Sequence, residues 1–462
     1  MEASDVQTSR NTSWQRRSRE HVWHPCTQSI RLEAVPPLPM ARGEGVWLFD
    51  HDGRAYLDAT SSWWVNLFGH ANPAINAALK AQLDTLPHVM LAGCTHAPAI
   101  ELAERLSALT GHALGHCFFA SDGASAVEIA LKMSVHAWRN AGFERKRRFV
   151  ALRHGYHGET LGALHVTDVP VFREAYESLL GRAFTAPSPD ARGALPGEGA
   201  AEVAARQAAA LDALLAEHRD SIAAVIVEPL VQCAAGMAMH DPDYVRRVRA
   251  ACDRHGVHLI ADEIAVGCGR TGSFFACEQA GIWPDFLCLS KGISGGYLPL
   301  ALTMTREAIH RAFVDDDLAR SFLHSHSYTG NALACRAALA TLDLFQGDEV
   351  LTRNRARAAR MHAGLEDRLR TALAGGRVNH LRQHGMISAF DVVDPGARFA
   401  ERFHLAAREQ GLLMRPIGAT VYLMPPYVIS DADIDRLTEG TVATLNALDA
   451  GETGGRRNVA LA

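Results

Sequence analysis

The sequence predicts an α/β protein: a central, mostly parallel sheet covered by helices, with a smaller lobe assembled from both ends of the chain. Three observations predict it. Short apolar runs recur through the middle of the chain, at Cys117-Phe-Phe-Ala, Phe149-Val-Ala-Leu, Ala224-Val-Ile-Val, His258-Leu-Ile-Ala, Phe286-Leu-Cys-Leu and Leu300-Ala-Leu-Thr. Helix-length segments separate them, the spacing expected of strands joined by crossovers and buried on both faces. The two ends read differently: the first carries a hairpin pattern around Asp52-Gly53 in GVWLFDHDGRAYLDA, the second the Pro-punctuated LLMRPIGATVYLMPPYVIS.

In chain order, residues 1–20 read as a frayed polar arm, 21–74 as the N-terminal part of the small lobe, 75–334 as the large domain, 335–450 as the C-terminal small domain and 451–462 as a polar tail. Asp122 and Gly123 mark the start of a helix with Val127, Ala130, Leu131, Ser134 and Trp138 on one face. Residues 185–199 read as a Pro/Gly-rich loop leading into an Ala-rich helix. Tyr244 to His255 and the Arg-rich stretch 351–373 read as further helices.

Composition excludes several classes. The chain has 462 residues, enough for two or three lobes, with 48% hydrophobic residues, 21% charged and a formal net charge of -5. There is no broad basic field for nucleic acid. Nothing approaches the ~18 apolar residues of a membrane span, so no membrane partner is expected. Nine cysteines without a CxxC pair read as reduced thiols of a cytoplasmic protein.

In a sheet of this kind ligands bind at the carboxyl ends of the parallel strands. Three strand-end residues stand out: Lys291 ends FLCLSK, Asp262 ends VHLIAD, and Ser121-Asp122-Gly123 ends CFFASDG where a helix begins. Each has an ordinary explanation: a lysine whose stem packs while its head reaches water, a carboxylate cap, a plain helix start. Together they suit pyridoxal 5'-phosphate (PLP). A partly desolvated lysine can form a Schiff base with an aldehyde. A carboxylate such as Asp262 keeps the pyridine nitrogen protonated, and N–H groups at a helix start, here Gly123 and Ala124, suit a phosphate. Tyr156, in the glycine-flanked turn HGYHGE, could cover the ring.

The stretches LIADEIAVGCGRTGSFFACE, LSKGISGGYLPLA, HSYTGNALACRAAL and EPLVQCAAGM resemble the class III (ω) aminotransferases, PLP-dependent transferases of fold type I. HVWHPCTQ, TSSWWVNLFGH, HGYHGET and MRPIGATVYLMPPY are similar to the branch that aminates 8-amino-7-oxononanoate in biotin synthesis with S-adenosyl-L-methionine as donor. The resemblance runs from about His21 to about Ser430. It implies that Lys291 carries PLP and then the mobile proton, that Asp262 pairs with the pyridinium, and that Tyr156 stacks on the ring. It further implies a homodimer with shared active sites, His326 and Ser327 reaching the phosphate from the second subunit and Ser325 lying near the substrate. Trp63 and Trp64 would wall the substrate channel, and Arg415, supported by Tyr422, would bind the distant carboxylate through paired hydrogen bonds.

Two positions depart from the branch's pattern: Cys26 stands where an aromatic residue is usual, and Glu159 where aspartate is common. The first removes a wall that could touch a bulky donor, and HSHSYTGN is also similar to relatives that use lysine. Lysine with the same acceptor, or a broad ω-amine:pyruvate or diamine activity, are the alternatives. A non-catalytic PLP-binding regulator would need a DNA-binding module, for which the arm before His21 is too short. GCGRTG fits GxGxxG but follows a late strand with no ribose-binding acid in the right place, so it reads as a loop presenting Arg270. No metal is expected, because His324 with His326, or His154 with His157, lack companion ligands at a recognised spacing.

Overall fold

The computed structural model describes residues 9–347 and 349–457. Its centre is a seven-stranded sheet in the spatial order His116–Ala120, Ala301–Thr305, Phe286–Leu289, His258–Asp262, Ile222–Val227, Arg148–Leu152, Phe184–Ala186. All the strands run parallel except Ala301–Thr305, which is antiparallel to both neighbours. The six apolar runs all fall within these strands, with only Leu300 left just outside. Their burial explains the lack of alternation: every residue of Ile222–Val227 and Phe286–Leu289 is buried. The outer strand Phe184–Ala186 adds to the edge by pairing with Val150–Leu152, and it takes in Thr185 and Ala186, which the sequence reading assigned to a loop. Three residues with one buried side chain leave little periodic signal.

Asp122 caps the helix Gly123–Asn140 by accepting from Ser125 N at 2.9 Å, and Val127, Ala130, Leu131 and Ser134 are buried beneath it. The Ala-rich segment forms Ala200–His218, the Tyr244 segment Pro242–His255, and the Arg-rich segment Val350–Ala374. Helix Ala332–Gly347 crosses position 335 and packs on helices Pro73–Thr85 and Ala97–Leu109, so the chain leaves the large sheet's surroundings only after this helix.

Both chain ends do meet in one sheet. Met40–Glu44, Trp47–Asp50 and Ala55–Asp58 form a meander whose turn holds Gly53 at φ +87°, and Leu412–Leu413 adds to it in parallel. A second small sheet pairs Val378–His384, Ile387–Val392 and Thr420–Leu423. The arm departs from the reading of a frayed segment: residues 10–21 form a helix, started by Ser9, and Arg10 N and Asn11 N donate to Asp52 at the hairpin tip. Trp14 stacks on His51 with centroids 5.1 Å apart. A helix whose one large apolar residue is Trp14 was illegible as such, because it buries no residue and its backbone is tied to the hairpin at its N-terminal end. Residues 1–8 and 458–462, the ends of the predicted arm and tail, lie outside the described residues; the final helix, Asp431–Arg457, runs through residue 451.

Candidate active site

Parallel strands place their carboxyl ends on one rim, and a cavity of about 320 Å³ opens there. Gly123 and Ala124 follow the first strand, Tyr156, His157 and Gly158 the turn after Arg148–Leu152, and Glu228 follows Val227. Asp262 and Lys291 come from the two adjacent parallel strands. Residues as far apart in sequence as Trp64 and Lys291 thus line one space.

Lys291 is partly buried, at φ +47° on a short 3-10 turn, with its ammonium 4.6 Å from the centre of the Trp64 ring. Burial lowers its pKa, although Cys233, Asp262 and Glu228 pull the other way. Asp262 is buried; its Oδ1 accepts from Ile264 N at 3.1 Å and its Oδ2 from His157 Nδ1 at 2.8 Å. A carboxylate only accepts, so the hydrogen of His157 sits on Nδ1. Tyr156 donates its hydroxyl to Glu159 at 2.9 Å, and burial together with that bond raises its pKa.

Two residues in this cavity have a part that the sequence reading did not give them, His157 having been weighed only as a metal ligand and Glu228 not singled out. His157 orients Asp262, and Glu228 accepts from Tyr156 N at 3.0 Å and Cys233 N at 3.1 Å, tying the tyrosine's turn to the next strand. Burial pushes the Glu228 carboxyl up to about 7, with Asp262 adding to the rise and His157 and the two N–H donors opposing it. The signal for Glu228 was available, since it directly follows a parallel strand as Asp262 ends one. His157 had none, because its partner is 105 positions away.

Trp63 and Trp64 lie on an unusual turn. Ser61 to Trp64 all have positive φ, between 47° and 74°, a single left-handed turn costing about 1–2 kcal/mol per residue. Asp58 offsets it, accepting from Ser62 N at 2.9 Å, Ser62 Oγ at 2.7 Å and His70 Nε2 at 3.0 Å, while Ser61 Oγ donates to Met424 O. The loop GCGRTG presents Arg270 to this turn from below: fully buried, it donates to Pro425 O at 2.9 Å and lies 3.4 Å from Ser61 Oγ.

Trp64 then links two spaces. Its indole donates to Tyr422 OH at 3.1 Å, and Tyr422, Trp63 and Arg415 line a second cavity of about 620 Å³ together with Cys26. Arg415 sits over the Trp63 ring at 5.2 Å and donates to Cys26 O at 3.3 Å. Ser325, His326 and Ser327 are not among the residues lining either cavity. In the single chain His326 Nε2 lies 3.5 Å from Ser121 Oγ, the Ser327 carbonyl accepts from His88, and Ser325 is exposed. The four histidines weighed as metal ligands have other surroundings: His157 and His326 as above, Lys132 2.9 Å from His324, and His154 N donating to Asp168.

The first cavity fits PLP. Gly158, at φ +118°, passes so close to Ala124 that a Cβ would come within 2.5 Å of that residue's Cβ, which keeps the helix start open to a ligand. The N–H groups there have no intrahelical partner. A buried carboxylate, a lysine of lowered pKa and an aromatic residue border the same space. This is the arrangement of an α/β enzyme that holds PLP between a lysine and a carboxylate and works on amines.

The comparisons agree. The model of the family described as "Aminotransferase class-III" matches residues 30–445. The adenosylmethionine-8-amino-7-oxononanoate aminotransferase of Helicobacter pylori is 43% identical over 438 residues, covering 94% of this chain and 97% of the relative. The crystal structure of the like-named enzyme of Methanocaldococcus jannaschii is 33% identical, with a TM-score of 0.86 over 94% of this chain and 99% of that one. A PLP-bound amine transaminase from an uncultivated Pseudomonas species is 32% identical, with a TM-score of 0.85 over 92% and 98% of the two chains. The chain belongs to the class-III aminotransferase family.

Proposed function

We propose that the protein is a PLP-dependent aminotransferase that converts 8-amino-7-oxononanoate to 7,8-diaminononanoate in biotin biosynthesis, with S-adenosyl-L-methionine as amino donor. One observation carries the reading: Trp64 spans from the Lys291 ammonium to Tyr422, joining a catalytic cavity to one that holds Arg415. A nine-carbon chain with a reacting end and a distant carboxylate suits that pair of spaces. The names of the relatives support the same acceptor and donor.

When bound, PLP supplies an aldehyde that condenses with amines and a ring that accepts the electron pair released at the reacting carbon. The chain's residues do the rest. Lys291 anchors the cofactor and, once displaced by the donor amine, moves a proton at the reacting carbon through Nζ; its lowered pKa favours the free base that this requires. Asp262, oriented by His157, keeps a positive charge on the ring nitrogen. Gly123 and Ala124 hold the phosphate through backbone N–H groups, and Tyr156 covers the ring. Trp63 and Trp64 exclude water from the channel, Arg415 grips the acceptor's carboxylate, and Tyr422 fixes Trp64. His326, Ser327 and Ser325 serve the neighbouring subunit's site in a homodimer; exposed Leu323 and Tyr328 flank that loop.

Cys26 favours a second reading, in which lysine replaces adenosylmethionine, because an exposed thiol at the cavity mouth offers no aromatic face to an adenine. Mixing the yellow holoenzyme separately with each donor tests both. Bleaching of the visible band by adenosylmethionine supports the first reading; bleaching by lysine alone replaces it. Turnover of simple amines with pyruvate, and none with 8-amino-7-oxononanoate, would overturn the acceptor.

A further inference from the structure

We propose that Arg408 and His404 form a positioning pair that sets the pose of Arg415 and thereby the selectivity for carboxylate-bearing substrates. The inference rests on the reading of Arg415 given above. Arg408, on helix Phe399–Glu409, is 9% exposed, and among the described residues its guanidinium has no carboxylate in ion-pair range. Burying a charge without a counter-ion is costly, so a buried unpaired guanidinium points to a task other than stability. Its Nη1 donates to Pro36 O at 2.7 Å; Nε and Nη2 both face His404 Nε2, at 3.1 and 2.6 Å.

A guanidinium can only donate, so His404 Nε2 must accept and its hydrogen sits on Nδ1. Nδ1 then donates to Met414 O at 2.6 Å. That carbonyl belongs to the peptide from which Arg415 hangs. The relay from Arg408 through His404 therefore fixes the peptide plane that aims Arg415 into the 620 Å³ cavity, which His404, Arg408, Met414 and Arg415 all line. The other charged side chains lining the space, Arg31 and Glu401, pair with each other. Burial first, then the charges of Arg408 and Arg415, hold the His404 pKa down to about 4, the Met414 carbonyl opposing them, so the tautomer persists through the neutral range.

The test compares 8-amino-7-oxononanoate with its methyl ester, which keeps the reacting end and masks the carboxylate, using the full-chain holoenzyme. In R415M the acid should lose its advantage over the ester. In R408M and H404L, KM for the acid should rise about tenfold more than KM for the ester, a difference of about 1.4 kcal/mol. H404N, whose amide nitrogen can take the place of Nδ1, should recover most of the selectivity. If R415M loses selectivity while R408M and H404L keep it, or if they raise KM for acid and ester alike, the positioning role is wrong. If R415M itself keeps selectivity, the reading of Arg415 fails first. Should R408M not fold, the H404L and H404N pair decides.

Discussion

Lys291 and Glu228 show how burial at single residues is converted into chemistry. A lysine whose pKa is lowered by desolvation carries more free amine near neutrality than surface lysines do, so in the apoenzyme PLP should condense with Lys291 in preference to all others. Borohydride trapping and peptide mapping should place the label at 291. Lys291→Ala should lose the label and about 10²–10⁴-fold or more of kcat. Glu228 makes a stability statement of opposite sign to the usual acid. Burial pushes its native pKa up to about 7, above the ordinary 4.5 of a glutamate, so between those values the native state binds more protons than the unfolded chain. Stability therefore falls as pH rises from about 4.5 through about 7, by an amount on the order of 3 kcal/mol for a shift of this size. Denaturant melts of the apoenzyme at pH 5 and pH 8 should show a smaller fall in Glu228→Gln than in the parent, even though the amide, unable to accept from both Tyr156 N and Cys233 N, lowers the baseline.

At the scale of elements, the strands and helices follow from apolar runs and caps, whereas the left-handed turn at Ser61–Trp64 follows from a partner outside it. Asp58 is fully buried and satisfies the turn from one side while His70 satisfies Asp58 from the other. Asp58→Ala should cost about 3 kcal/mol, since bonds to a charged group are worth roughly 1.5–3 kcal/mol each and the turn's strain is then unopposed. Chemical denaturation measures the loss, and a weakened near-ultraviolet signal from the freed Trp63 and Trp64 should accompany it. Retention of both stability and signal would show that the turn is held elsewhere, for instance by Arg270. The same contrast governs legibility. The resemblance singled out SSWW as the expected wall of the substrate channel, but nothing in the sequence announces four positive φ angles in non-glycine residues.

For the whole molecule, the open question in the site is one of copies. His326 and Ser327 lie outside both cavities of their own chain, which fits donation to a neighbour's phosphate site. Co-expressed Lys291→Ala and Ser327→Ala subunits test this directly. A hybrid dimer has one site carrying both defects and one carrying neither, so a purified hybrid should exceed both parent variants in activity. Independent sites would give only the average of the two.

The sequence by itself determined six of the sheet's seven strands, the start of helix Gly123–Asn140, the family and most of the residues named at the first cavity, though not the parts of His157 and Glu228 there. Each is written locally: apolar runs of strand length, Asp122 ahead of a helix, Asp262 and Lys291 at strand ends. Tertiary structure alone decided what those residues touch. Position 301–305 runs antiparallel because of how the chain crosses over, the polar arm is a helix because Asp52 receives its N-terminus, and His157 serves Asp262 across 105 positions. Pattern along a chain reports which side chains must leave water. Pairing between distant segments depends on where the closed backbone puts them, and no local pattern encodes it.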